Sequence, residues 1–297
     1  MTDAATIDGS DVLFLDRIKL GNPKVPQAWA VDNILGFLFV AQLKNETWSD
    51  RRGDLLITRI RISDKKIMGT MTLRGFGHGI ALGVQPEPNS KQKPKGSWLW
   101  LECGPIILVN GGSGISGRGT RIVRLMFVPG REVICNSKGE FSANQGTKRH
   151  ILPATTVLSI SGKRPAAVSV DAESNLLIYK DGSSYTIFRM TDVVKNENPI
   201  PITQTNIGGS GTFQGFVIRE QWIYILRGAS GEKPTITRYD TTNGNSVTEP
   251  TSATDNRKGY FEPEGIGFID GILSWGLSTG IPGARRLTIY KKANNVT

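Results

Sequence analysis

The chain has 297 residues, with 36 Lys and Arg against 26 Asp and Glu, giving a formal net charge of +10. No apolar run approaches the roughly 20 residues of a membrane helix, and the opening MTDAATIDGSD lacks the apolar segment of a secretory signal. The expectation is a chain that inserts in no membrane, is soluble and cytoplasmic when made, and acts there, on a virion or after release. Two cysteines, Cys103 and Cys135, are too few for a disulfide framework, and both stand in or beside apolar strands, as buried free thiols do.

Taken in order, residues 1–20 read as a leader with one strand, Val12–Leu15. A first unit follows: a small-residue strand Gln27–Asp32, a hairpin strand Gly36–Gln42, and a third strand Leu55–Ile60. The polar loop Lys44–Asp54 carries Trp48 beside Arg51 and Arg52. The same unit returns at His78–Gly83, Trp98–Glu102 and Ile122–Phe127. Its loop Gln85–Gly96 is rich in Lys and Pro and holds no core-forming side chain, so it projects. The loop Asn110–Gly119 is Gly-rich but lacks the lysine and strand–turn–helix setting of a phosphate loop. Extra β-like material at Arg131–Asn136 and Thr156–Ile160 reads as the outer strand of the second unit plus an insertion or a fourth strand.

A third copy spans Ala166–Asp171, Leu176–Lys180 and Tyr185–Arg189, followed by a single helical turn at most, up to Lys195. Asn196–Thr205 reads as a linker, and the fourth copy is FQGFVI, Trp222–Arg227 and Ile236–Tyr239. Thr241–Gly259 reads as a polar excursion before the last copy, Pro263–Phe268, Ile272–Gly276 and Leu287–Lys291. Copies starting at Gln27, His78, Arg164, Gln214 and Pro263 are 51, 86, 50 and 49 residues apart. Repeats of about 50 residues, each a hairpin plus a strand, are too long for a β-helix rung and too regular for most sandwiches.

The predicted fold is therefore an all-β, five-bladed β-propeller, with residues 1–20 as leader and ring-closing strand. The blades lie near 27–72, 78–160, 164–205, 213–250 and 262–292. Ring closure by Val12–Leu15 on the last blade would remove unpaired strand edges.

In such a ring the blade starts surround one mouth of a central channel. Gln27, His78, Arg164, Gln214, Glu262 and Glu264 fall at matching places in otherwise small, apolar strands. Each alone can serve as a hydrogen-bonded link between blades; together they make a mouth able to grip a polyol and receive an anion. Trp48 with Arg51 adds an aromatic plane for a sugar and a guanidinium for a phosphate. Trp98 and Trp100 alternate on one face of a hairpin strand, Trp222 and Trp275 occupy the corresponding strand in later copies, and all four read as packing between blades. The two histidines, His78 and His150, have dissimilar surroundings, which argues against a His-based metal site. No cofactor motif is present. The basic surplus favours anionic partners, but no helix-borne basic face or aromatic-interleaved strand points to nucleic acid.

GFGHGIALGV followed by WLWLEC resembles the "GHG … WxE" hairpin of a five-bladed propeller family. That family groups helveticin-like bacteriocins, teichoic acid biosynthesis protein C-like proteins and the propeller domains of phage receptor-binding proteins. QAWAVD, FQGFVI and FEPEGIGF are similar to the family's other blade starts, and the likeness runs over residues 12–292. The resemblance implies non-enzymatic binding of an anionic cell-wall glycopolymer such as a teichoic acid, with Gln27, His78, Gln214 and Glu264 at the site. Two other readings stand beside it. One is a platform for another protein or a second copy of the chain. The other is a hydrolase of a glycan or phosphodiester, with His78, Glu102, Glu262 and Glu264 as the available acids and bases.

Overall fold

Runs such as FLFVAQL and WIYILR are apolar at nearly every position, so their strands must be covered on both faces. The computed structural model describes residues 4–44, 53–87, 96–106, 118–135, 141–145, 148–151, 157–159, 166–195, 199–252 and 260–293. It forms an all-β, five-bladed β-propeller. A leading strand, β1 (Asp11–Ile18), precedes blade one, which consists of β2 (Pro26–Asp32), β3 (Phe37–Leu43), β4 (Asp54–Arg61) and β5 (Lys66–Arg74). Blade two begins with β6 (Leu82–Pro86), β7 (Ser97–Ile106) and β8 (Arg118–Met126). Three short strands follow: β9 (Glu132–Cys135), β10 (Phe141–Gln145) and β11 (Lys148–Ile151). Blade two is then finished by β12 (Val157–Ser159).

Blade three contains β13 (Ala166–Asp171), β14 (Leu176–Asp181), β15 (Ser184–Arg189) and β16 (Thr203–Asn206), with the one-turn helix α1 (Met190–Lys195) before its last strand. Blade four contains β17 (Phe213–Arg219), β18 (Trp222–Arg227), β19 (Thr235–Asp240) and β20 (Ser246–Pro250). Blade five contains β21 (Phe261–Ile269), β22 (Ile272–Thr279) and β23 (Arg286–Lys292). Its fourth strand is β1, paired antiparallel from Asp11↔Lys292 to Ile18↔Leu287, so the ring closes with the leading strand. The innermost strands pack in the order β2, β6, β13, β17, β21 and back to β2. Among the described residues no helix is long and apolar enough to cross a membrane.

Among the described residues the core consists of five apolar clusters, one for each seam between neighbouring blades. Alternation along a strand sends successive side chains to opposite seams. On β3, Phe39 and Ala41 enter the seam with blade two, while Leu38 and Val40 enter the seam with blade five. The continuous apolar runs are thus two half-faces interleaved, each buried against a different neighbour. Burying one such side chain stabilises the fold by roughly 1.5–3 kcal/mol, so the seams supply most of the driving force.

Trp29 shows how closely the blades approach. It is 2 % exposed, and Gly265, Gly267 and Gly276 of blade five make room for its ring. A Cβ at Gly276 would lie 2.5 Å from Trp29 Nε1 and 2.6 Å from the Glu264 carbonyl oxygen, so only glycine fits there.

The 86-residue interval has a different origin from the expected one. Arg131–Asn136 was assigned to blade two, yet β9 runs parallel to β5 and extends the sheet of blade one to seven strands. Val133, Cys135 and Ala143 of this extension fill the seam between blades one and two. Arg74 Nε meets Glu132 Oε2 at 2.8 Å across the new pairing. Among the described residues of the interval, β12, within the expected 156–160 stretch, is the strand that completes blade two. Cys103 and Cys135 are buried free thiols in that same seam. The hydrogen bond to Cys135, together with burial, pushes the Cys103 thiol well above its ordinary pKa.

Candidate functional site

All five inner strands run in the same sense, so their first residues share one face of the ring, here the start face, and their hairpins share the other, the turn face. At the start face a β-bulge recurs. On β2 the register jumps from Pro26↔Gln42 to Ala28↔Ala41, leaving Gln27 as the extra residue. On β17 it jumps from Phe213↔Arg227 to Gly215↔Leu226, leaving Gln214. On β21 the jump between Pro263 and Ile266 spans Glu264 and Gly265. A bulged residue leaves the alternation of its strand and can aim its side chain anew. That is why three polar residues occupy equivalent places in strands otherwise made of small and apolar ones.

These bulges touch. A Cβ at Gly215 would lie 3.2 Å from Gly265 Cα, and one at Gly265 would lie 3.1 Å from the Trp29 nitrogen. Gln214, Glu264 and Gln27 therefore form one arc across blades four, five and one. Gln214 is 9 % exposed, and its amide donates to the Gly228 carbonyl at 2.8 Å. Gln27 is half-buried. Glu264 is 4 % exposed, and among the described residues its carboxyl makes no hydrogen bond.

Burial, and secondarily the charge of Glu262, raises the Glu264 pKa well above the usual carboxylate value. The folded protein then keeps a proton that the unfolded chain releases near its ordinary pKa of about 4.3. Stability from this group falls as pH climbs from there toward the raised folded value, and levels off above it. Glu264→Gln is therefore expected to melt higher than the parent at pH 7 and to match it near pH 4. Melting curves at the two pH values check this, and equal gains at both would show that no proton is involved.

Glu262, two residues before Glu264, is half-buried and accepts a hydrogen bond from the Tyr260 hydroxyl. Burial, then that bond, pushes the Tyr260 phenol up to about 12. The Arg285 guanidinium stacks over the Tyr260 ring at 3.4 Å from its centre.

His78 is half-buried in the segment leading into β6, and Glu102 holds this segment in place. Glu102 on β7 is 1 % exposed, and its two carboxylate oxygens accept the Gly79 and Gly119 amides, each at 2.5 Å. Gly77, at φ 90°, brings its backbone so close that a Cβ would sit 2.9 Å from Glu102 Cδ. The Gly-His-Gly motif and the glutamate after the two tryptophans are thus one folded unit, with His78 carried on a loop fixed from below. Trp48, Arg51 and Arg164 lie outside the described residues. Trp100 and Trp275 are fully buried in the seams.

The sequence reading named Glu102 only as one of several available acids and missed the turn face altogether. Among the described residues, the inner hairpins of blades one, three, four and five link to neighbouring blades there. Asp32 Oδ2 accepts the Ser97 hydroxyl of blade two at 2.6 Å, and Asp171 Oδ2 accepts the Glu220 amide of blade four at 2.9 Å. Arg219 donates to the Gly271 carbonyl of blade five at 2.6 Å, and Asn33 Oδ1 accepts the Asp270 amide at 3.1 Å. These links border an open funnel of about 350 Å³ at the end of the channel. The signal for them was present: an Asp or Asn recurs where an inner strand meets its turn.

No protein-family model matches the chain, and no curated protein matches it. Among solved structures it is similar to the tail fiber of Staphylococcus aureus phage P68, with a TM-score of 0.71 and 16 % sequence identity. The likeness covers 95 % of this chain and 52 % of the tail fiber, so the chain corresponds to about half of that protein's length. The five-bladed ring is thus an architecture that this chain has in common with a phage tail fiber.

Proposed function

We propose that the chain is a non-enzymatic binding protein for an anionic cell-wall glycopolymer of the teichoic-acid kind, engaged at the start face. The observation that carries this reading is the gathering of cations there. Lys24, Lys44, Arg74, Lys180, Arg227, Lys233 and Arg286 all stand at strand ends on that face. The described acids near the same strand ends that are not buried include Glu132, which pairs with Arg74, and Asp181, Glu232, Glu249 and Glu262, so the cations remain in excess. A basic rim raises the local concentration of a polyanion, and an arc of amide and carboxyl groups can hydrogen-bond sugar or polyol hydroxyls. The buried carboxyl of Glu264 supports the same reading, since a group that weakens the fold at neutral pH is retained more readily when it serves a ligand. The resemblance to bacteriocin-like and receptor-binding propellers, and the tail-fiber architecture, point the same way.

The purified protein is expected to sediment with intact Gram-positive cell walls at low salt. It should release as ionic strength rises, because screening weakens exposed charge contacts. Walls stripped of phosphate polymer should retain at least tenfold less protein. Arg227→Glu with Arg286→Glu should give a similar loss on intact walls. Equal retention on stripped and intact walls would overturn the proposal, and release of soluble glycan fragments would favour a hydrolase instead.

A further inference from the structure

The funnel at the turn face is chemically unlike the start face. We infer that it is a second binding site, built for a small ligand with an ammonium group on a short apolar body. Its wall is apolar, formed by Val31, Leu82, Val84, Val170, Ile218 and Phe268. A volume of about 350 Å³ is enough for a compact organic molecule and far too small for a folded partner.

The charged lining residues are Glu87, Asp171, Glu173 and Arg219, so the described rim is net acidic on a chain whose total is +10. Two of the four are already engaged. Asp171 accepts the amides of Glu173, Ser174 and Glu220, and Arg219 is held on the Gly271 carbonyl and over the Phe268 ring at 4.8 Å. The carboxylates of Glu87 and Glu173 make no hydrogen bond among the described residues, and Glu87 is half-buried. Arg124, whose charge Glu87 feels, is itself committed to Gln85 Oε1 at 3.0 Å and to the Trp98 ring at 3.9 Å.

A second, independent feature lies deeper. Ser169 is 4 % exposed and lines the funnel, and among the described residues its hydroxyl has no partner. Its oxygen opens onto the funnel, so it can accept a hydrogen bond from a polar group that enters from the mouth. An anion in the funnel would meet two carboxylates with little water between them. A neutral molecule would gain only the apolar wall. A primary ammonium on a short chain gains both, since it can donate to the two carboxylates and to the serine oxygen.

The probes are hexylammonium, hexanol and hexanoate, titrated into the intact protein by calorimetry. Hexylammonium is expected to bind at least tenfold more tightly than hexanoate, with hexanol between them. Glu87→Gln with Glu173→Gln should bring hexylammonium down to the level of hexanol while leaving hexanol unchanged. Ala172→Trp, which places an indole in the funnel, should abolish binding of all three. Should that variant lose the parent's circular dichroism, the paired glutamine variant decides alone. Arg227→Glu with Arg286→Glu, on the opposite face, should leave hexylammonium binding intact, so this result and wall binding can fail separately. Hexanoate binding as tightly as hexylammonium would overturn the inference, as would full binding by a folded Ala172→Trp protein.

Discussion

Glu102→Ala is expected to lower stability by about 3–6 kcal/mol, because hydrogen bonds to a buried charged group contribute roughly 1.5–3 kcal/mol each and two are lost. The Gly79 and Gly119 amides would be left facing an empty space inside the protein. Glu102→Gln keeps one acceptor but presents an NH₂ group to the other amide, so its loss should fall between alanine and the parent. Chemical denaturation of the three proteins gives the order directly. Alanine melting within about 2 °C of the parent would contradict the assigned role. The consequence for the site is equally specific. With Glu102 gone, the loop carrying His78 loses the carboxylate that ties Gly79 to β7. Amide resonances of Gly77–Ala81 should shift or broaden in Glu102→Gln, while those of the blade-four hairpin stay in place.

The second large effect concerns ring closure. On β1, Asp11 has a fully buried side chain that meets Lys292 Nζ at 3.1 Å, accepts the Trp275 indole at 2.9 Å and accepts the Ser252 amide at 2.5 Å. Lys292 is itself 3 % exposed. Removing one partner of a buried ion pair strands the other charge and costs roughly 3–5 kcal/mol. Asp11→Ala should therefore melt well below the parent, and limited proteolysis should cut first between Ile18 and Leu20 as β1 detaches. Asp11→Leu combined with Lys292→Met removes both charges, and most of the loss should be recovered. If the double variant is no more stable than Asp11→Ala, the ion pair is not what holds the strand.

How legible the fold was depended on burial. β13 and β18 fall where the sequence placed them, at Ala166–Asp171 and Trp222–Arg227, because both faces of each enter a seam and the apolar run announces the strand. β20 was read as part of a polar excursion and β16 was absorbed into a linker. Ser246–Pro250 is almost wholly exposed and Thr203–Asn206 buries neither face fully, so outer strands carry no apolar period to detect. β9 is short, and its pairing with β5 rather than with blade two is a choice between two open edges that local sequence does not encode. At the site, Gln27, Gln214 and Glu264 were visible because polar residues interrupt small-residue strands at one repeated place. The bulges that carry them were not, since an extra residue shows only against its partner strand. Glu102 in LWLEC had the better signal, a single acid inside a run that must be buried.

The closing strand also sets an order of events. β1 leaves the ribosome before any of the blades, yet Trp275, which binds its Asp11, follows 264 residues later. At ordinary synthesis rates that delay is on the order of 10–50 s. Through that interval blades one to four can form seam by seam, while β1 has no sheet to join and the open side of blade one has no blade five to cover it. Contacts of such long sequence separation are slow to form because the loop they close is costly in entropy. The ring is thus assembled as an open arc and sealed last. A nascent chain stalled before β23 should be protected from protease in its early blades but not in residues 11–18.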